Sequence, residues 1–430
     1  MIPVISVKEY EAILIGNRFS LEKKMITRSQ ASLLEKLERE QGKSIFKWGN
    51  NQIIPQQWIG VASVANLQVE ILPKLSVDDF QNIRRNLLYM LTVAREVPFR
   101  VQDLGRYDTQ KHTFLECFIK VFIDKLTFAI KAGVIHQYNR VEENVPFLKG
   151  KLIVPEHLRK NFYNRSKFYV GYDEYSIQNI PNRILKATIG KLTNISKLST
   201  NKKELQLLNA LFSEVDEREF SISDFNLLSL PRTVHQSYKE IFGMCKVFWE
   251  DESPNLSSGS SQSFSLLFDM NVIYEKFIQN LLVQYKDKVM DEKSNVLTKR
   301  DGTSRFLLKN LQNRGAFRLM PDNCIYNQDE GKIVKIIDTK WKVLDNRKLN
   351  FGVSQQDMYQ MYAYAREFEC SKIVLLYPNS QILPMELPKY YNETFHDRKI
   401  EISVKTVNLN YRLPEEIDRL IMELKEIVQI

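Results

Sequence analysis

Cysteine is scarce in this chain. Four are spread through 430 residues, at Cys117, Cys245, Cys324 and Cys370, and no two form a CxxC pair. That spacing argues against a zinc ribbon or a dithiol redox motif and fits reduced, buried thiols in a cytoplasmic protein. Histidine is nearly as sparse: His112, His136, His157, His235 and His396 make no HExxH or other paired spacing, so each reads as structural or surface. No run approaches the roughly 18 consecutive apolar residues of a membrane span. The start, Met1-Ile2-Pro3-Val4-Ile5, lacks a basic segment followed by a long apolar core, so neither a membrane partner nor a leader is expected. A phosphate-binding loop is missing too. Gly42-Lys43-Ser44 ends like one, but Leu37 stands where the first glycine belongs. Any nucleotide would therefore be bound by a partner chain.

Apolar residues, by contrast, are plentiful. They make up 43% of the chain, enough to bury real cores, and the length suggests about two or three domains. Lys and Arg number 61 against 52 Asp and Glu, a formal charge of +9. That balance is compatible with a polyanionic partner and does not establish one. The expected class is α+β and multidomain. Residues 1–80 read as a mixed α/β region, with a helix from Arg28 to Gln41 stopped by Gly42, then strands Gly60–Val64 and Leu67–Leu72 around a turn at Ala65-Asn66. Residues 81–250 read as a mainly helical domain carrying a β-hairpin, with strands at 134–138 and 148–154 and a polar segment Asn139–Asn144 between them. Residues 251–263 are rich in Ser and Gly and read as a linker. Residues 264–430 alternate helix and strand: helix Met270–Gln284, strands around Asp322 and Asp338, helix Gln355–Glu369, strand Lys372–Tyr377 ended by Pro378, strand Ile400–Leu409, and a last helix over 415–430 with Pro414 at its start. Such an order suits an α/β layer on a mixed sheet.

The densest chemistry lies in that last region. Strand Ile333–Trp341 places Ile336, Asp338 and Lys340 on one face, because strand side chains alternate. Asp322 follows Pro321 at the end of the apolar run Phe317–Met320, and Asn327–Gly331 reads as the turn that returns the chain. Two carboxylates and one ammonium brought together suit a hard divalent cation and a phosphodiester. The cation takes carboxylate oxygens, and the lysine orients water and offsets phosphate charge. Taken alone, an acid-x-Lys tripeptide is a weak signal, and a surface hairpin with scattered charges would look the same. Glu275, in the helix starting at Met270, is either a solvated charge or an auxiliary acid reaching the metal directly or through water. Gln356, Gln360 and Tyr364 form one helical stripe, which faces DNA or is simply exposed.

Taken in order, Pro321-Asp322, Asp338-Thr339-Lys340 and Gln360-Met361-Tyr362-Ala363-Tyr364 resemble the PD-(D/E)XK nuclease pattern with its trailing QxxxY helix. With Asn86–Leu91, Pro146–Lys151, Asp173–Ser176 and Asn182–Leu185, and with Gly60–Leu75 containing Glu70–Lys74, the chain resembles the McrC family. Members of that family are the nuclease subunits of McrBC modification-dependent restriction systems, which serve in phage defence. The resemblance implies a C-terminal PD-(D/E)XK endonuclease domain that cleaves double-stranded DNA with Mg²⁺ or Mn²⁺. It puts Asp322 and Asp338 on the metal, Lys340 on the attacking water, and Glu275, Gln360 and Tyr364 in supporting places. It further implies a partner, an McrB-like AAA+ GTPase forming a ring hexamer, that binds GTP, recognises methylcytosine-containing DNA and is stimulated by docking of the region before the nuclease. Two alternatives belong to other classes: a non-catalytic adaptor that only activates an AAA+ NTPase, and a RecB-like repair exonuclease.

Overall fold

The structure, a computed structural model, describes residues 3–64, 67–75, 79–98, 112–131, 133–163, 165–216, 222–230, 236–250, 263–301, 303–379, 387, 389–395 and 398–429. The turn expected at Ala65-Asn66 and nearly all of the linker expected at 251–263 lie outside these residues. The chain forms two compact units, one of residues 115–252 and one of the flanking segments 2–114 and 253–430.

The N-terminal segment begins with β1 (Val4–Lys8), β2 (Ile13–Gly16), β3 (Met25–Thr27) and α1 (Arg28–Gln41). Helix α1 starts where a capping box forms: the Thr27 hydroxyl accepts from Gln30 N, and the Gln30 side chain accepts from Thr27 N. It stops, as expected, at Gly42, whose φ of 62° is left-handed. Then follow β4 (Phe46–Trp48), β5 (Gln52–Pro55), β6 (Trp58–Val64), β7 (Leu67–Leu72) and α2 (Phe80–Ala94). A small sheet runs β3-β2-β5-β4, and a second joins β1, β7 and β6.

The middle unit contains α3 (Phe114–Ile130), β8 (Gln137–Val145), β9 (Lys151–Leu152), α4 (Val154–Asn161), β10 (Phe168–Ser176), α5 (Ile180–Ile195), α6 (Ser199–Leu211) and α7 (Gln236–Glu250). Its helices are amphipathic as expected, but the hairpin differs. Asn139–Asn144 is no tip; it lies within β8, which pairs antiparallel with β10, and β9 pairs with the other side of β10. The polar residues conceal a strand because β8 has no fully buried face, and its side chains alternate only between half-buried and exposed. Asn179 caps α5 and Asn182 donates to the carbonyls of Ile135 and Ile177 at 2.7 and 2.8 Å.

Past the Ser/Gly-rich stretch come β11 (Ser263–Asp269), α8 (Met270–Gln284), α9 (Lys286–Val289), β12 (Ser294–Thr298), β13 (Arg305–Lys309), β14 (Gly315–Leu319), β15 (Asn323–Asn327), β16 (Lys332–Thr339), α10 (Gln355–Glu367), β17 (Lys372–Asn379), β18 (Lys389–Phe395), β19 (Arg398–Asn408) and α11 (Ile417–Val428). Residues 2–114 and 253–430 share one unit for a physical reason. Strand β11 pairs antiparallel with β6 and completes the sheet β1-β7-β6-β11. Gly60 makes that pairing possible: a Cβ there would lie 2.0 Å from the Leu266 carbonyl oxygen. Helix α2 also belongs with the C-terminal segment. Buried Asn86 donates to the carbonyls of Leu409 and Tyr411 at 2.9 and 2.7 Å, and Asn280 on α8 donates to Val93 O at 2.7 Å.

The C-terminal sheet has the order β12-β15-β16-β17-β19-β18. Strands β12, β15 and β16 are antiparallel neighbours, β16, β17 and β19 run parallel, and β18 closes one edge antiparallel. Helix α10 is the crossover from β16 to β17, the connection a parallel pair requires. Ile336, Met361, Tyr364, Ile373, Leu375 and Val404 share the core beneath it. Three local expectations change. The run Phe317–Met320 does not enter this sheet, since β14 pairs with β13 in a separate ribbon. Strand β17 passes through Pro378, opposite Val407. The last helix starts at Ile417, three residues beyond Pro414.

Candidate active site

Asp338 and Lys340 stand at the C-terminal end of β16, a central parallel strand. The β16–β17 ladder continues one residue past the strand, where Lys340 N donates to Leu376 O at 2.9 Å. This holds Lys340 on the face that carries Asp338. The Asp338 side chain is only 2% exposed, and its Oδ2 lies 2.8 Å from the Lys340 ammonium. Among the described residues this buried oxygen has no partner besides that ammonium. Burial, and then the Asp322 charge, push the Asp338 carboxyl from 3.8 up to about 7; the ion pair with Lys340 only partly offsets them.

Asp322 lies in the short link between β14 and β15, beside the end of β16. Its Oδ2 accepts from Thr339 N at 2.8 Å and Thr339 Oγ1 at 2.7 Å, so the strand end itself orients the carboxylate. Its Oδ1 lies 2.9 Å from the Lys299 ammonium. Helix α8 supplies the same neighbourhood: Glu275 Oε1 accepts from Lys299 at 2.7 Å, and Gln279, one turn on, donates to Asp322 O at 3.3 Å. Burial and the Asp322 charge raise the Glu275 carboxyl, with Lys299 opposing. Glu275 is thus no freely solvated helix charge.

Lys340 heads a relay. Its Nζ donates to Gln360 Oε1 at 3.0 Å, Gln360 Nε2 donates to Tyr364 Oη at 2.7 Å, and Tyr364 donates to Met320 O at 3.2 Å. Burial acts to lower the Lys340 pKa, but Asp338, Asp357 and Asp322 outweigh it and the pKa is raised. Lys340 is therefore an ammonium at neutral pH. The stripe on α10 divides: Gln356 is exposed, Gln360 is half-buried, and Tyr364 is buried in the core at 2% exposure. Burial pushes the Tyr364 hydroxyl pKa upward, so it stays a donor. Tyr364 supports Lys340 from beneath and offers nothing to a ligand outside.

Three further participants carry no role assigned from the sequence. Asp357, in the first turn of α10, accepts from Lys342 at 2.9 Å and lies 3.9 Å from Lys340. Its place one turn before Gln360, after the capping Ser354, could have suggested it. Thr339, between Asp338 and Lys340, is the donor that holds Asp322. Lys299 comes from a turn after an edge strand, with no local pattern to mark it. Behind the site, Trp341 donates to Glu9 Oε2 at 3.0 Å, tying the residue after Lys340 to the end of β1. Burial raises the Glu9 carboxyl to about 8.

Among the described residues no group of three or more His, Cys, Asp or Glu side chains is disposed to hold a metal ion. The set is instead two carboxylates, one with a buried oxygen met by the Lys340 ammonium alone among the described residues. Mg²⁺ commonly takes one or two carboxylates and completes its shell with water and phosphate oxygen. Residues Asp322 and Asp338 fit such a cation, because a positive charge on Asp338 Oδ2 would relieve the repulsion and burial that raise its pKa.

The sequence model of the family described as "McrBC 5-methylcytosine restriction system component" matches residues 53–378. The "Type IV methyl-directed restriction enzyme EcoKMcrBC" of Escherichia coli (strain K12) is 22% identical over 198 residues, 45% of this chain and 57% of that protein, so the match spans little more than half the relative's length. Among solved structures, a chain of the half-complex from a tetradecameric assembly of Thermococcus gammatolerans McrB AAA+ hexamers with bound McrC shares the fold. Its TM-score is 0.76 at 19% identity, over 99% of this chain and 100% of that one. A chain of the Thermococcus gammatolerans McrBC complex matches with a TM-score of 0.54 at 20% identity, over 66% of this chain and 88% of its own length. With three quarters of its length matched by that sequence model, the chain belongs to the McrBC 5-methylcytosine restriction system component family.

Proposed function

We propose that this chain is the DNA-cleaving subunit of a McrBC-like restriction system, its C-terminal sheet being a PD-(D/E)XK endonuclease. The observation that carries the reading is Lys340: a half-buried ammonium held between Asp338 and the Gln360–Tyr364 relay, beside a second acid fixed by the strand end. A surface hairpin with scattered charges needs no such support.

Asp322 and Asp338 would hold Mg²⁺ or Mn²⁺, and the bound cation would polarise the scissile phosphate and make a coordinated water more acidic. Lys340 keeps its proton, so its part is to orient the attacking water and stabilise charge gathering on the phosphoryl oxygens. Gln360 and Tyr364 hold the ammonium in place, and Glu275 is an auxiliary acid. The β13–β14 ribbon is a fitting DNA surface. It bears Arg305, Lys309, Arg314 and Arg318 beside exposed Phe306 and Phe317, and Met320, just after it, joins the relay.

The partner would be an McrB-like AAA+ GTPase ring that binds GTP and recognises methylcytosine-containing DNA, working with this chain in the cytoplasm. The likeness to a chain from a complex of McrB hexamers with bound McrC supports this reading. The unit 115–252 is the docking candidate. It exposes Tyr138, Phe147, Leu148, Phe162, Tyr163 and Tyr175, side chains suited to a protein contact. Among the described residues no helix is long and apolar enough to cross a membrane. The test is Lys340→Ala assayed with the partner and DNA. Loss of one transition-state contact should lower single-turnover cleavage at saturating metal by about 10²–10³. Cleavage at the wild-type rate would remove Lys340 from the mechanism.

A further inference from the structure

Lys299 lies outside the acid pair and outside the Lys340 relay, yet its ammonium ends on the acids. It stands 2.9 Å from Asp322 Oδ1 and 2.7 Å from Glu275 Oε1, with its side chain 33% exposed. The turn that carries it is pinned on both sides. Asp301 Oδ2 accepts from Thr298 N and Thr298 Oγ1 at 2.8 and 2.9 Å, and the Thr303 hydroxyl donates to Thr298 O at 2.7 Å. Asp322 Oδ2 is engaged by Thr339, so the oxygen that Asp322 can offer a cation is Oδ1, the one Lys299 holds.

We propose that Lys299 is a displaceable internal cation. In the chain free of metal and DNA, its ammonium neutralises Asp322 and Glu275 and occupies the ligand oxygen. When a divalent cation binds, Asp322 Oδ1 passes to it, and charge repulsion drives Lys299 off. The long flexible stem lets the ammonium swing from a fixed backbone toward the site mouth, where a DNA phosphate is its next partner. Metal loading and DNA engagement then favour one another, since each provides what the other displaces. This rests on the nuclease reading above.

The test is Mn²⁺ binding to the full-length, DNA-free chain, followed by electron paramagnetic resonance. Lys299→Met should bind Mn²⁺ about tenfold more tightly than wild type, a change of about 1.4 kcal/mol. Lys299→Arg, which keeps the charge, should bind no more tightly than wild type. Lys276→Met is the control for general electrostatics, because Lys276 is close to Glu275 but pairs with Glu96; it should change affinity less than twofold. In wild type, acylation of Lys299 by an amine reagent, read by mass spectrometry, should rise on adding Mn²⁺ while that of Lys276 stays level. The second measurement needs no variant to fold. Equal affinity of Lys299→Met and wild type, equal gains from Lys299→Met and Lys276→Met, or unchanged acylation of Lys299 would each overturn the proposal and leave the nuclease reading standing. Absence of any Mn²⁺ binding that depends on Asp322 and Asp338 would overturn both.

Discussion

At the scale of single residues, Asp338 connects burial to chemistry. Its carboxyl is raised from 3.8 to about 7 by burial and by Asp322. The folded chain therefore holds a proton that the unfolded chain releases near pH 4. A raised folded pKa contributes stability that is full below the unfolded value and is lost as pH rises through the folded one. The metal-free chain should lose thermal stability from about pH 4 to pH 7, and Asp338→Asn, with nothing to ionise, should lack that part of the slope. Melting curves across this range decide it; parallel pH profiles for the two proteins would contradict the assignment. Asp322, Asp338 and Lys340 were legible in the sequence because strand alternation and a preceding Pro-Asp are local patterns. Lys299 and Thr339 were not. Lys299 reaches Asp322 across 23 residues of sequence through a turn of no distinctive composition. Thr339 acts through a hydroxyl that the strand pattern assigns to the opposite face.

At the scale of elements, α10 explains why a glutamine and a tyrosine one turn apart accompany this site. Tyr364 anchors in the core and meets Gln360, and Gln360 meets Lys340. Gln360→Ala should leave the fold intact and weaken cleavage by roughly tenfold, less than loss of Lys340 itself, because the Asp338 pair remains. Tyr364→Phe removes two hydrogen bonds, one accepted from Gln360 and one donated to Met320 O, and should cost about 2 kcal/mol of stability with a smaller effect on rate. Denaturant unfolding and single-turnover cleavage of both variants separate the two contributions. If Gln360→Ala cuts like wild type, the relay does not position Lys340. The same helix shows the reach and limit of periodicity. Its bounds and its stripe were readable, but which stripe residues point inward depends on β16 and β17 beneath them. Strand β8 was misread for a related reason: polar composition conceals alternation when neither face is fully buried. Its true partner, β10, lies beyond the intervening helix α4, so the pairing itself leaves no local pattern.

At the scale of the whole molecule, the chain leaves its first sheet, builds a separate unit over 115–252, and returns with β11 to complete that sheet. A cut near residue 263 would strip β6 of one of its two neighbours, β11, so it does not separate the functions cleanly. Replacing 115–252 with a short flexible linker should preserve the proposed metal site while abolishing stimulation of the proposed GTPase partner. Persistence of that stimulation would place docking in the larger unit. The composition indicated a multidomain α+β protein, but a pairing between residues about 200 positions apart has no local signal. The central claim is that these two acids and their lysine cut DNA while other surfaces govern the partner. The most direct measurement compares wild type and Asp338→Ala in one reaction containing the partner GTPase, methylated DNA and Mg²⁺, recording DNA cleavage and GTP hydrolysis together. The account expects the variant to stimulate GTP hydrolysis as wild type does and to leave the DNA intact. Cleavage by the variant at the wild-type rate would contradict it.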